Sequence, residues 1–260
     1  MQKRFEGKVV IVTGGGKGIG QTSAIAFAQE GGQVAIADID EEAGNATVRQ
    51  IKEMGGKAIF LKCNVSKSSD VQQLVKETVL AFGGVDVLYN NAGVVRYGTV
   101  VEMSEEDWDY QININLKASF LTCKYAIPEM IKRGGGVIVN TASAQAFASQ
   151  KTVAAYAASK GGIVSFTTTV ALDHAGDNIR CNCIAPGSIQ TPMLDEAAEL
   201  FGPKDNPAQA ITDWGKMHPI GRVGRSEEVA KMVLFLASED ASFCTGGCYR
   251  IEGGLLSTLL

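Results

Sequence analysis

The sequence predicts an α/β fold: one Rossmann-like, doubly wound domain over residues 1–260, with a seven-stranded, mostly parallel sheet and helices on both faces. Three observations carry that expectation. Runs such as Lys8-Val9-Val10-Ile11-Val12-Thr13 are continuously apolar and rich in β-branched residues, as strands covered on both faces must be. These runs alternate with helical patterns closed by Gly31-Gly32, Gly55-Gly56 and Gly83-Gly84, and repeated β-α units of that length imply right-handed crossovers. Finally, the polar motifs fall at the carboxyl ends of the predicted strands, where sheets of this kind bind ligands.

Composition narrows the function. With 260 residues, 45% of them hydrophobic, and a formal charge of −4, the chain can bury one large core, and its charge gives no reason to expect nucleic acid or an acidic membrane surface as a partner. No apolar stretch approaches the ~18 residues of a membrane span. Met1–Gly7 runs straight into a strand and leaves no room for a signal peptide, so a cytoplasmic protein is expected. Cys63, Cys123, Cys181, Cys183, Cys244 and Cys248 form no C-x-x-C pair, and only His174 and His218 could join them; reduced thiols and no metal site are the expectation.

Taken in order, the first strand leads into Gly14-Gly15-Gly16-Lys17-Gly18-Ile19-Gly20 and a helix. Such a loop lets backbone N–H groups approach a pyrophosphate, and the helix start favours its charge. The second strand, Val34-Ala35-Ile36-Ala37, ends in Asp38, whose carboxylate can accept from ribose hydroxyls and would repel a 2′-phosphate. That argues for NAD rather than NADP, with Lys17 pulling weakly the other way. Glu41–Met54 reads as a helix and Lys57–Lys62 as the third strand, followed by Cys63-Asn64-Val65 and a helix capped by Ser66 or Ser68 that ends near Phe82. Asp86–Tyr89 is a fourth strand running into Asn90-Asn91-Ala92-Gly93. A long helix is predicted from Glu105 past Tyr125, with Pro128 near its end and Asn113 and Asn115, poor helix formers, in its middle.

Gly136–Asn140 is a fifth strand that ends in Thr141-Ala142-Ser143. If the run from Val153 to about Ala175 is helical, Tyr156 and Lys160 share a face one turn apart. A phenol titrates near ~10 in water, and the ammonium is expected to draw it down toward the range where proton transfer to a substrate oxygen is effective. Asn178–Ile184 is a sixth strand leading to Ala185-Pro186-Gly187-Ser188-Ile189-Gln190-Thr191. Residues 192–221, with Pro203, Pro207 and Pro219, read as the least regular piece, either a substrate cover or plain packing. Ser226 is expected to cap a final helix to Ala237, Cys248–Ile251 to form the seventh strand, and the apolar ending Leu255–Leu260 to pack against another subunit.

Thr13-Gly14-x-x-x-Gly18-x-Gly20, Asn90-Asn91-Ala92-Gly93, Ser143, Tyr156-x-x-x-Lys160 and Pro186-Gly187 together resemble the short-chain dehydrogenases/reductases, over essentially the whole chain. The resemblance implies Asn115, Ser143, Tyr156 and Lys160 as catalytic residues, with the backbone of Asn115 holding a water that links Lys160 to solvent; Asn113 competes for that place on bare sequence. It further implies that NAD is held by Gly14, Lys17, Gly18, Ile19, Gly20, Asp38, Asn64, Val65, Asn91, Ala92, Gly93, Tyr156, Lys160, Pro186, Gly187, Ile189 and Thr191. Asn90 and Gly93 would back the adenosine side, Asn64 would offer an acceptor to the adenine amino group where the family usually has Asp, and Ile189 and Thr191 would meet the nicotinamide carboxamide. A homotetramer is implied as well. The reaction expected is hydride transfer between NAD and a secondary alcohol or ketone, sugar-derived or a small hydroxy compound. The alternatives are an NADPH-dependent 3-oxoacyl thioester reductase and a non-catalytic NAD-binding sensor. Arg96, Tyr97, Gln145, Gln150, Met193 and His218 are the candidates to line the substrate pocket.

Overall fold

The computed structural model describes residues 3–258. Strands β1 (Val9–Thr13), β2 (Gln33–Asp38), β3 (Lys57–Lys62), β4 (Val87–Asn90), β5 (Gly136–Thr141) and β6 (Ile179–Pro186) alternate with helices α1 (Gly18–Gln29), α2 (Glu41–Glu53), α3 (Ser68–Phe82), α4 (Glu105–Ile112), α5 (Ala118–Lys132) and α6 (Ala154–His174). There follow the short β7 (Ile189–Gln190), α7 (Pro192–Phe201), α8 (Ala208–Lys216), the short β8 (Gly224–Arg225), α9 (Ser226–Ala237) and β9 (Cys248–Ile251). The main sheet has seven strands in the order β3-β2-β1-β4-β5-β6-β9, every pairing parallel. The order reverses between β1 and β4, which opens a crevice above their carboxyl ends.

The sequence makes this sheet because its strands are apolar on both faces. In β1, Val10 and Val12 face a core built with Ala24 and Phe27 of α1, Val48 and Ile51 of α2 and Val229 and Val233 of α9. Ile11, between them, faces the opposite core, with Val71 and Leu74 of α3, Met130 of α5 and Val170 of α6. Each such aliphatic side chain contributes about 1.5–3 kcal/mol when fully buried, so a one-residue slip of β1 would exchange the two cores. The apolar end of the chain is described as far as Thr258; Leu259 and Leu260, part of the ending read as a subunit contact, lie outside the described residues.

Three local expectations need correction. The long helix is α4 and α5 joined by one π turn, Asn113–Lys117, in which the Ala118 N–H reaches the Asn113 carbonyl five residues back. Residues 192–221 hold two helices: Pro192 opens α7 and Pro207 stands before α8, where a missing N–H costs nothing. Neither predicted serine caps its helix. Lys67 precedes α3, and Arg225 precedes α9, where the Glu228 carboxylate accepts from the Arg225 N–H at 2.8 Å while Ser226 donates to the Gln190 carbonyl.

Polar residues inside the sheet are paired. Asp86 accepts from the Val9 N–H at 2.8 Å and from Arg133, at 3.3 Å to one oxygen and 3.1 Å to the other, which joins β1 to the turn before β4. Asp86→Ala would strand the Val9 N–H and is expected to cost roughly 2 kcal/mol. Urea unfolding should show the midpoint falling with an unchanged slope.

Candidate active site

The crevice between β1 and β4 is braced by Asn91. Its Nδ2 donates to the carbonyls of Thr13 and Gly14, both at 3.1 Å, while the Tyr89 hydroxyl donates to its Oδ1 at 3.3 Å. Thr13 Oγ1 accepts from the N–H groups of Asn91 and Ala92. The Asn91 side chain is therefore spent on shaping the glycine loop. Two glycines there cannot be replaced: Gly14 has φ +63° and lies against the Ala92 backbone, and any side chain at Gly20 would run into the Gly14 carbonyl. Gly18 lies close against Thr191, so loop and distal turn form one cradle beside the first turn of α1.

At the end of β2, Asp38 Oδ2 accepts from the Gly16 N–H at 2.9 Å and Oδ1 from the Asp40 N–H at 3.0 Å. Lys17 is turned away, onto Asp40 at 2.7 Å. At the end of β3, the Asn64 oxygen accepts from the Ser66 N–H and hydroxyl at 3.1 and 2.7 Å, so the acceptor expected to face an adenine is already engaged; Val65 beside it is buried. Asn90 also departs from expectation. It turns into the core, donating to Asn140 at 2.9 Å and accepting from Thr122 at 2.7 Å.

The second half of the site converges on α6. Lys160 is 3% exposed, and its ammonium donates to the Thr141 carbonyl at the end of β5 at 2.7 Å, 5.5 Å from the centre of the Tyr156 ring. The Ser143 hydroxyl, just past β5, accepts from the Gln145 N–H and faces the Tyr156 phenol. From the π turn comes Asn115, 1% exposed, whose Oδ1 accepts from the Val94 N–H at 2.8 Å. Its Nδ2 donates to the Val94 carbonyl and to Ser159 Oγ, both at 3.0 Å, and Ser159 donates on to the Tyr156 carbonyl at 2.7 Å. Asn115, not Asn113, is thus the buried amide of the pair that meets α6. Gly93 packs against both Asn115 and Lys160. Ser159 and Thr141 are site residues that sequence reading missed; Ser159, three residues after Tyr156, had its helical spacing as a signal.

The ionisation pattern differs from the expectation. Burial raises the Tyr156 pKa above the usual phenol value, Ser143 opposes that rise and Tyr97 adds to it. Burial presses the Lys160 pKa down from 10.5 to about 8. Both groups are biased toward their neutral forms, and the ammonium does not by itself bring the phenol into the working range.

Of the substrate candidates, only some lie where expected. Arg96 leans on α4, with Nε 3.9 Å from Asp107 and its guanidinium over the Tyr110 ring. Gln145 folds back to accept from the Gln150 N–H at 2.9 Å, with Gln150 itself exposed. His218 is buried, its two nitrogens hydrogen-bonded to the Trp214 carbonyl and the Ser188 N–H. Met193 is partly exposed at the start of α7. Tyr97 does face inward: its ring meets Phe201 at the end of α7 edge-on at 4.7 Å, and burial, then Glu196, raises its pKa.

A family model described as enoyl-(acyl carrier protein) reductase matches residues 14–256. The chain belongs to the short-chain dehydrogenase/reductase family. It is 40% identical to a 3-oxoacyl-(acyl-carrier-protein) reductase of Thermotoga maritima, over 97% of this chain and 99% of that one. With the cyclohexanol dehydrogenase of an Acinetobacter species it shares 38% identity over 99% of this chain and 98% of the other. The ligand-free aldohexose dehydrogenase of Thermoplasma acidophilum superposes with a TM-score of 0.89 at 36% identity, covering 99% of this chain and 97% of that structure. As a short-chain dehydrogenase/reductase the protein is an oxidoreductase that works with a nicotinamide cofactor, NAD or NADP.

Lys160 offers a test of this electrostatic arrangement. Below pH 8 the native state holds a buried ammonium that the unfolded chain would carry in water; between about 8 and the ordinary lysine value the native lysine loses its proton first, and stability rises with pH. Lys160→Met is therefore expected to stabilise the protein at pH 7 by up to about 3 kcal/mol. The gain should vanish as pH approaches ~10.4, read from urea unfolding of both proteins at pH 7 and pH 10.

Proposed function

We propose that this chain is an NAD-dependent dehydrogenase of secondary alcohols, with sugar-derived or small hydroxy compounds as substrates. The observation that carries the reading is the facing pair of hydroxyls, Tyr156 and Ser143, beside the buried Lys160 ammonium and next to the glycine cradle. The cradle fits a dinucleotide: Gly14 and Gly20 let the loop fold tightly against Ala92 and the start of α1, and Asp38 ends the strand beside it. Each Asp38 oxygen that accepts one backbone N–H keeps a lone pair for a ribose hydroxyl. In the loop Lys17 is paired with Asp40, and a 2′-phosphate there would meet the Asp38 carboxylate.

When bound, the nicotinamide takes or returns a hydride and, in its oxidised form, adds a positive charge beside the phenol. Tyr156 takes the hydroxyl proton in oxidation and returns it in reduction. Ser143 donates to the same substrate oxygen and steadies the charge that builds on it. Lys160 offsets the phenolate once formed, and the backbone of Asn115 would hold the water that links Lys160 to solvent, its side chain fixed by Val94 and Ser159. The Pro186–Thr191 turn supports the nicotinamide, and α7 and α8 cover the substrate; the Tyr97–Phe201 contact supports that role, since it joins the cover to the opposite wall. Two relatives named for cyclohexanol and aldohexose oxidation favour a ring-borne hydroxyl. The 3-oxoacyl reductase relative favours the second reading, thioester reduction with NADPH. Exposed Trp108, Phe120 and Ile131 on α4 and α5 are in keeping with subunit contacts of a homotetramer, and free cysteines with a cytoplasmic setting.

The direct test is a panel of secondary alcohols, polyols and hydroxy acids with NAD, followed by absorbance of the reduced cofactor. Tyr156→Phe should lower kcat at least ~100-fold while the cofactor Kd stays within a small factor; ordinary turnover in that variant would remove the proton-transfer role. Asp38→Ala should narrow the preference for NAD over NADP by at least ~10-fold in kcat/KM, about 1.4 kcal/mol. A wild type that already prefers NADPH would transfer the case to the thioester reading.

A further inference from the structure

The cover and the nicotinamide turn meet at a single buried side chain, His218. It follows α8, is 3% exposed, and uses both ring nitrogens: Nδ1 lies 2.9 Å from the Trp214 carbonyl and Nε2 accepts from the Ser188 N–H at 3.3 Å. These partners fix the tautomer, with the proton on Nδ1. The ring also packs on the turn itself. A Cβ at Gly187 would come within 3.0 Å of His218 Nε2 and of Glu252 just past β9, so Gly187 is small because the imidazole and the Glu252 backbone occupy that space. On its other side His218 lies against Gly253, and the Ile220 N–H donates to the Gly253 carbonyl. Three segments distant in sequence are thereby locked together: the Pro186–Thr191 turn, the end of the 192–221 segment, and the loop after β9.

We propose that His218 is a positioning residue for the nicotinamide half of the cofactor, holding the turn through the Ser188 N–H at the height set by the anchored end of the cover. The proposal rests on the reading that this turn supports the nicotinamide. It makes the histidine's contribution specific: the glycine cradle and Asp38, on the far side of the crevice, share no hydrogen bond with it. Loss of the Ser188 contact should therefore weaken what binds the ring end and spare what binds the adenosine end.

The test compares NADH with ADP-ribose, which lacks the nicotinamide, on the full-length wild type, His218→Asn and His218→Gln. Asparagine can keep the Trp214 contact through an amide at the Nδ1 position but falls short of Ser188. Glutamine places a carboxamide oxygen near the Nε2 position. NADH binding, followed by its fluorescence, is expected to weaken at least ~10-fold in His218→Asn, about 1.4 kcal/mol, and to return to within about 3-fold of wild type in His218→Gln, about 0.65 kcal/mol at the same scale. ADP-ribose should bind all three proteins equally. Equal losses for both ligands, or no loss for either, would overturn the proposal. Failure of the wild type to bind NADH would instead remove the reading of the turn on which it stands.

Discussion

A buried ammonium governs the layout of this protein. Lys160 lies within the fold with the Thr141 carbonyl as its close acceptor, and among the described residues no carboxylate forms an ion pair with it. Such a charge is tolerated only if its surroundings are fixed around it. α6 must dock so that its fourth turn-mate, Tyr156, looks over the end of β5. β5 ends with the Thr141 carbonyl turned to the amine, and the loop after β4 brings Gly93 against it. Burial drives lysine and tyrosine toward their neutral forms together.

The fold was legible because the code for a sheet covered on both faces is redundant. Val10 and Val12 enter one core and Ile11 the other, so the run needed no alternation to be read as a strand, and the limits Lys57–Lys62 and Cys248–Ile251 were readable to the residue. The proximity of Tyr156 and Lys160 on α6 was legible for a related reason. Tyr156, Ser159 and Lys160 lie within little more than one helical turn, where local geometry alone decides which side chains meet.

What could not be read depends on contacts between distant segments. Nothing in the sequence around Asn113 and Asn115 announces a π turn; within it the Asn115 side chain meets Val94, by both amide and carbonyl, and Ser159 on α6, contacts between segments far apart in sequence. Prolines misled the reading of 192–221 because their meaning is positional: at the start of α7 and just before α8 they favour helices they would break elsewhere. Arg96, Gln145 and His218 looked available for substrate because their partners, Asp107, the Gln150 amide and Ser188, become neighbours only in the folded chain.

The covering segment divides its contacts in a way that bears on how a substrate would enter. Within it Leu200 and Phe201 at the end of α7 and Met217 just after α8 are exposed. Its far end is fixed by His218, by the Ile220–Gly253 bond, and by the short parallel pairing of Ile189 with Gly224 and Gln190 with Arg225. Across the cleft the cover meets Tyr97 through one aromatic edge, an interaction of about 1 kcal/mol. On the proposal that this segment covers a substrate, a cover pinned at His218 and touching Tyr97 only through Phe201 would open on the Tyr97 side without disturbing the turn. On that proposal the strong contacts belong to the part that holds the turn in place, and the weak one to the part that moves.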